Sequence, residues 1–300
     1  MPENSENAWL IKGRYLFLIL FIVIVITLLF REIVLPLFII DVETHLATVI
    51  TSMFFYLLLT FILYITAVKA SVNINLLLGS FKKEYLGTKY IFAAIPLAGL
   101  SAVGVYLLYY PLSFVVPEYV KGAIINDASD NFWLTGDNLL LANTLSFINI
   151  AVLIPFSEEL FFRAFLITGL GRKWSAAKAV TAAVIIYGVA NGNPVGAAFE
   201  AAVFSIFYLR TRSLAVPVIL HSLLNILDYA NTWFAKTTGY TVYATLDTFR
   251  SSLWYPLAGL AVSLPWLIYF YNKERAEGKL VVPYFRKNNI DIVKEGKDDY

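Results

Sequence analysis

The stretch Pro155-Phe156-Ser157-Glu158-Glu159-Leu160-Phe161-Phe162-Arg163 puts two glutamates and an arginine inside an apolar run. An ionisable group within a membrane span is costly, so it marks either a buried ion pair or a site of chemistry. Whether this run is a span decides the fold. Long apolar runs recur from Tyr15 to Tyr271, and 59% of the 300 residues are hydrophobic against 15% charged. Soluble domains carry nearer ~25% charged residues. The chain therefore reads as an all-α, polytopic membrane protein. Its net charge of +2 gives no footing for nucleic acid, and with no cysteine there is no disulfide, thiolate metal site or lipidation site.

Eight helices are expected, at about 14–38, 46–68, 90–116, 139–168, 175–191, 195–209, 214–233 and 252–271. The short fifth and sixth depend on each other. Asn191-Gly192-Asn193-Pro194 between them is turn chemistry, so they read as a tight hairpin. The first run follows Lys12 and Arg14 but lacks a small-residue cleavage site, so it reads as a retained span. Basic residues gather on one side of this scheme. Lys12, Arg14, Lys69, Lys82, Lys83, Lys89, Arg172, Lys173, Lys178, Arg210, Arg212 and the tail face inward; Arg31, Lys121, Lys236 and Arg250 face outward. The bias favours both termini in the cytoplasm. The order reads as N-terminal helices and loops (1–138), a helical core (139–233), a last loop and helix (234–271) and a charged, solvated tail (272–300). The segment 71–89 is expected along the inner interface, and 118–137 is an acidic outer loop.

Six ionisable groups fall within spans: Glu158, Glu159 and Arg163 on the fourth, Glu200 on the sixth, His221 and Asp228 on the seventh. Glu159 and Arg163 are four apart and can pair on one face. Glu158 is rotated by ~100° and meets Phe162 at its own i+4 position. One glutamate thus has a counter-ion within the helix and the other is left for chemistry. His221 and Asn225 are also four apart, with Asp228 on the same stripe. Counting the helical rise, Glu158 is level with the His221/Asn225 pair. A carboxylate and an imidazole converging in a low-dielectric cavity can hold a divalent metal or polarise a water.

These residues resemble a family. Glu158-Glu159-x-x-x-Arg163 is similar to the EExxxR motif of the CPBP intramembrane proteases, which include the type 2 CAAX prenyl endopeptidases and bacteriocin-processing or self-immunity proteins. His221-x-x-x-Asn225 resembles their HxxxN/D motif, and the run Tyr208–Leu220 resembles the family's approach to it. The likeness covers about residues 140–232. It implies an intramembrane endopeptidase in the lipid bilayer that cuts a peptide or protein in or near the membrane. Its site would be Glu158, Glu159, Arg163, Asn191, His221 and Asn225, with a divalent metal, zinc, on Glu158 and His221. The first glutamate activates water, and the second histidine with the asparagine supports the oxyanion.

One motif departs. Where the family has FxxxH, the chain has Tyr187-Gly188-Val189-Ala190-Asn191. An amide can position water but cannot take a proton near neutral pH. The hairpin brings Glu200 level with Tyr187, as a second carboxylate of the same cavity or as the partner of a tyrosine or basic group. Three readings follow: an active endopeptidase; an impaired member serving as an immunity or binding protein; and a proton-coupled transporter, for which no repeat or broken pair of helices is seen. The first reading expects Glu158, Asn191, His221 and Asn225 around one cavity open to the cytoplasm. In a prokaryote the membrane would be the plasma membrane.

Overall fold

The computed structural model describes residues 11–286 except 39–40, 42, 127–130, 241–242, 277 and 279. The described residues are helical with no strand. The frame is α1 (Gly13–Leu37), α2 (His45–Lys69), α3 (Ala94–Val115), α4 (Leu139–Gly171), α5 (Ala176–Val189), α6 (Pro194–Thr211), α7 (Ala215–Thr238) and α8 (Trp254–Ala276). Each matches an expected helix to within a few residues. Helices α1 to α4 are long and apolar enough to cross a membrane; the others are shorter or more polar. Large apolar side chains such as Phe21, Phe61, Leu107 and Leu257 face outward, as lipid-facing helices require.

Local chemistry sets the helix starts. Thr44 accepts from the Ala47 N–H to open α2, and Ser175 from Lys178 N–H to open α5. Asn193 accepts from Gly196 N–H to open α6, with Pro194 in the first turn. The same Asn193 amide donates to the Ser101 carbonyl and hydroxyl, each at 3.0 Å. One residue thus caps α6 and ties it to α3. Gly239, at φ +72°, ends α7.

Helix α3 is the spine on which α6 and α8 lie. A Cβ on Gly104 would come within 2.2 Å of Gly196 N, and one on Gly99 within 2.8 Å of the Gly259 carbonyl oxygen. The backbones touch because neither partner has a side chain. Side-chain contacts fix the directions. Ser52 meets Asn149 and Thr60 meets Ser157, so α2 runs parallel to α4. His221 meets Glu159, Asn225 meets Ile150 and Tyr229 meets Asn143, so α7 runs antiparallel to α4.

The segment 71–89 forms short helices, Ile74–Leu78 and Lys83–Leu86, against the α6–α7 turn, where the Leu214 N–H donates to the Leu78 carbonyl. The tail departs from expectation between Leu280 and Arg286. Val282 and Tyr284 are buried, and Val282 packs on Gly171 at the end of α4. Apolar residues there outweigh the charges that the tail's composition emphasised. The rest of that tail, 287–300, and Asp127 and Asp130 of the acidic loop lie outside the described residues.

Gly104→Val should part α3 from α6, because backbone rather than a flexible side chain blocks the new atoms. The expected loss is about 1–3 kcal/mol, read as a lower midpoint of thermal unfolding in detergent. Gly122→Ala, with nothing within 4 Å, is the matched control and should leave the midpoint in place.

Candidate active site

The site is built on a helix that is not uniformly α. Two wide, π-helical turns, Asn149–Leu153 and Leu160–Leu166, flank Ile154–Glu159. Such turns often mark functional positions. The first has a local cause. The Ile154 N–H donates to the carbonyl five residues back, on Asn149, and Pro155 has no N–H to offer. The Ile150 carbonyl is therefore missed by both. Asn225 of α7 supplies the donor, its Nδ2 at 3.0 Å from the Ile150 oxygen. The same sequence of events occurs before Pro36, where the Leu35 N–H reaches back to Phe30. Asn225 thus repairs the break that Pro155 makes, about two turns along α4 from Glu158 rather than beside it.

Beyond Pro155 comes a buried charge cluster. Glu159 is 0% exposed and its Oε1 lies 3.0 Å from Arg163 Nη1 and 2.9 Å from His221 Nδ1. The expected Glu159–Arg163 pair is present, and the same oxygen also holds the histidine. Because a carboxylate only accepts, Nδ1 carries the proton and Nε2 faces the other way. None of the Arg163 nitrogens makes a well-aligned hydrogen bond among the described residues. Rings surround the guanidinium instead: Tyr187 at 4.7 Å, Phe204 at 5.4 Å and Phe162 at 5.9 Å from its carbon. Such contacts contribute up to ~2 kcal/mol each when desolvated. Phe204 also stacks on His221 and Tyr187 meets it edge-on, so the imidazole is held on all sides but one.

Glu158 occupies that remaining side. Its Oε2 is 4.0 Å from His221 Nε2, and its side chain is one-fifth exposed. The Tyr56 hydroxyl of α2 donates to its Oε1 at 2.9 Å. Beside it Ser157 bonds both the Thr60 hydroxyl and the Tyr56 carbonyl. The carboxylate that meets no partner on its own helix is therefore held from α2. A separation of 4.0 Å is beyond direct hydrogen bonding and fits one bridging water.

Asn191 and Glu200 lie elsewhere. Asn191 donates through Nδ2 to the Tyr187 carbonyl at 2.7 Å, capping the end of α5. Asn191, Glu200, Asn225 and Asp228 line a cavity of about 490 Å3 together with residues of α3, Tyr243 and Tyr255. Glu158 and His221 are not in its wall. The expectation of one cavity shared by Glu158, Asn191, His221 and Asn225 thus divides. The first and third make the charge cluster, and the second and fourth face the cavity. Moreover the cavity lies at the end of the bundle that holds the 190–194 turn, opposite the basic segments at Arg172 and Arg210. The α5–α6 hairpin is short: the Tyr109 hydroxyl donates to the Gly192 carbonyl at its tip, and α3 runs on past that point to Val115.

A resident metal was tested against these donors. Among the described residues no three His, Asp or Glu side chains gather as a metal set. Glu158 and His221 are two donors, and a catalytic zinc takes three protein ligands. The residues present do not fit zinc, and no step below runs through a metal.

With that geometry in view the comparison with known families is informative. Residues 140–227 match the family model described as type II CAAX prenyl endopeptidase Rce1-like. The matched segment is similar to those endopeptidases from the first turn of α4 to the middle of α7. The resemblance expected from the motifs holds over that segment, and at family level it points to a CAAX-type intramembrane protease. With four helices able to cross a bilayer, the chain is an integral membrane protein. No curated protein and no solved structure matches. Glu158, Glu159, Arg163, Asn191, Glu200, His221 and Asn225 lie inside the matched segment. Tyr56 and Asp228 lie outside it.

Sequence reasoning missed Tyr56. The signal was there: Ser52, Tyr56 and Thr60 form a polar stripe at four-residue spacing on an apolar helix. All three face α4.

Arg163→Ala should leave Glu159 buried beside an imidazole alone and cost about 3–5 kcal/mol, seen as loss of folded protein extracted from the membrane. Asn225→Leu should cost about 1–3 kcal/mol by stranding the Ile150 carbonyl, while Asn225→Gln or Asn225→Ser, if either reaches that oxygen, should recover part of the loss in the same unfolding assay.

Proposed function

We propose that the chain is an intramembrane endopeptidase of the CAAX-processing type, in which Glu158 activates the attacking water. The observation that carries this reading is the 4.0 Å gap between Glu158 Oε2 and His221 Nε2, with each group fixed from behind by a different helix. Tyr56 holds the carboxylate and Glu159 holds the imidazole.

Glu158 takes a proton from a water held in that gap, and the water oxygen adds to the peptide carbonyl carbon. The negative charge passes to the carbonyl oxygen. His221, presenting Nε2 and backed by Glu159, stabilises that charge when protonated. Breakdown of the tetrahedral adduct expels the amine, which takes the proton from Glu158. Water is consumed, and the products are a carboxylate and an amine. Glu159 and Arg163 are positioning residues. Arg163 is the counter-ion of Glu159, and Glu159 keeps the His221 ring turned toward Glu158. The substrate is a peptide or protein segment at the membrane, and nucleic acid plays no part.

The eight helices are read as eight crossings with both termini in the cytoplasm, supported by the parallel run of α2 and α4, the antiparallel run of α7 and the gathering of basic residues at one end. In a prokaryotic cell the membrane is the plasma membrane.

One observation favours a second reading, a catalytically impaired member acting as an immunity or binding protein. Asn191 replaces the family's histidine, and its amide donates to its own helix. Turnover of a reporter peptide in one detergent preparation separates the two. In the first reading the wild type cleaves, Glu158→Gln loses ~10²–10⁴-fold, and Tyr56→Phe loses about tenfold or more, as befits a hydrogen bond to a charged group. In the second the wild type is silent and Asn191→His gains cleavage. Wild-type cleavage that survives Glu158→Gln overturns the mechanism.

A further inference from the structure

The cavity at the hairpin end has a charge character that the peptidase chemistry does not use. Glu200 and Asp228 both line it, and no lysine, arginine or histidine does. The other polar groups in its wall are the amides of Asn191, Asn193, Asn225 and Asn231, the Ser101 hydroxyl and the phenols of Tyr243 and Tyr255. Its volume of about 490 Å3 falls in the ~300–1,000 Å3 range of small-ligand sites.

The balance of charge around it is uneven. Lys178, Arg210 and Lys236 stand near the helix ends, and deeper within α4 to α7 the carboxyl groups Glu158, Glu159, Glu200 and Asp228 meet one guanidinium, Arg163, and one imidazole, His221. Both of those cations are buried and held by Glu159. Among the described residues no ion pair is found for Asp228 or Glu200. Ser101 stands beside Glu200, and it brings no charge. Glu200 feels the charges of His221 and Arg163 without contacting them, and carboxylates in a low-dielectric wall that lack a paired cation attract one. Phenol rings suit an organic cation, through their faces, and amide oxygens accept its N–H donors.

We propose that this cavity binds an organic cation, an ammonium or guanidinium group on a short alkyl chain such as a peptide lysine or arginine. Asp228 and Glu200 are its counter-ions, and Tyr243 and Tyr255 are the walls along its alkyl stem. This deepens the peptidase reading and rests on it for one point only. If Glu158 cuts peptides, this cavity, lined by Leu224 and Asn225 one turn of α7 beyond His221, sets a preference for a cationic residue near the cut.

The test is binding, which needs no turnover. Glu158→Gln protein in detergent is titrated calorimetrically with acetylated, amidated pentapeptides of alanine whose central residue is lysine, arginine, norleucine or glutamate. The lysine and arginine peptides should bind at least tenfold more tightly than the norleucine peptide, which keeps the stem and lacks the charge. Adding Asp228→Asn or Glu200→Gln should weaken the cationic peptides five- to tenfold and leave the norleucine peptide unchanged, in variants whose unfolding midpoints match the parent. Competition by n-butylammonium at comparable affinity supports the cation site with a free amine as ligand. Competition by peptides alone supports it with a peptide. Equal binding of lysine and norleucine peptides, or cation affinity untouched by both carboxyl substitutions, overturns the proposal. Failure of the peptidase reading looks different: no Glu158-dependent cleavage by the wild type, with charge-selective binding intact.

Discussion

A single carboxylate oxygen holds the centre of this molecule together. Glu159 Oε1 lies within 3.0 Å of both a guanidinium on its own helix and an imidazole on another. A buried arginine alone would be ruinous in a low-dielectric interior, and so would a buried glutamate alone. Together, and ringed by Phe162, Tyr187 and Phe204, they are tolerated. The arrangement demands that α4, α5, α6 and α7 all meet at one level. The depth of the hairpin, the placing of α7 and the direction of the His221 ring follow from satisfying that one group.

The rest of the packing serves this junction from two sides. On one side α2 lays a polar stripe along α4, so that Ser52, Tyr56 and Thr60 meet Asn149, Glu158 and Ser157. On the other, α3 accepts the backbones of α6 and α8 at glycines. Close backbone approach replaces the hydrophobic drive that helices lack when lipid surrounds them. Neither α2 nor α3 belongs to the segment similar to the endopeptidases, yet one orients Glu158 and the other sets the wall of the acidic cavity.

Much of this was legible in the sequence where a contact is local. The helix limits follow from apolar run length and from the Asn-Gly-Asn-Pro turn. The Glu159–Arg163 pair follows from a spacing of four, and the closeness of Glu158 to His221 from counting helical rise. What was not legible depends on other helices. Nothing within α4 says that Glu159 also holds His221, or that Tyr56 reaches Glu158. Helical counting placed Asn225 level with Glu158; the wide turn at 149–153 gives that amide a carbonyl to mend two turns away along α4. One cavity was expected because counted helical depth and the family likeness put the two motifs at one level. They serve two, since Asn191 ends a helix that stops short of its neighbours.

The wide turn before Pro155 has a consequence for how this helix tolerates change in length. A bond from residue i+5 to i encloses one more residue than the ordinary bond from i+4, so the turn behaves as a stored single insertion. Removing one residue between 150 and 153 would tighten it to regular α-helix, and both flanks would keep their faces toward α2 and α7. The same deletion between 155 and 157 would swing Glu158 and Glu159 by ~100° relative to the turns before it. The slack before the proline thus follows from one missing N–H.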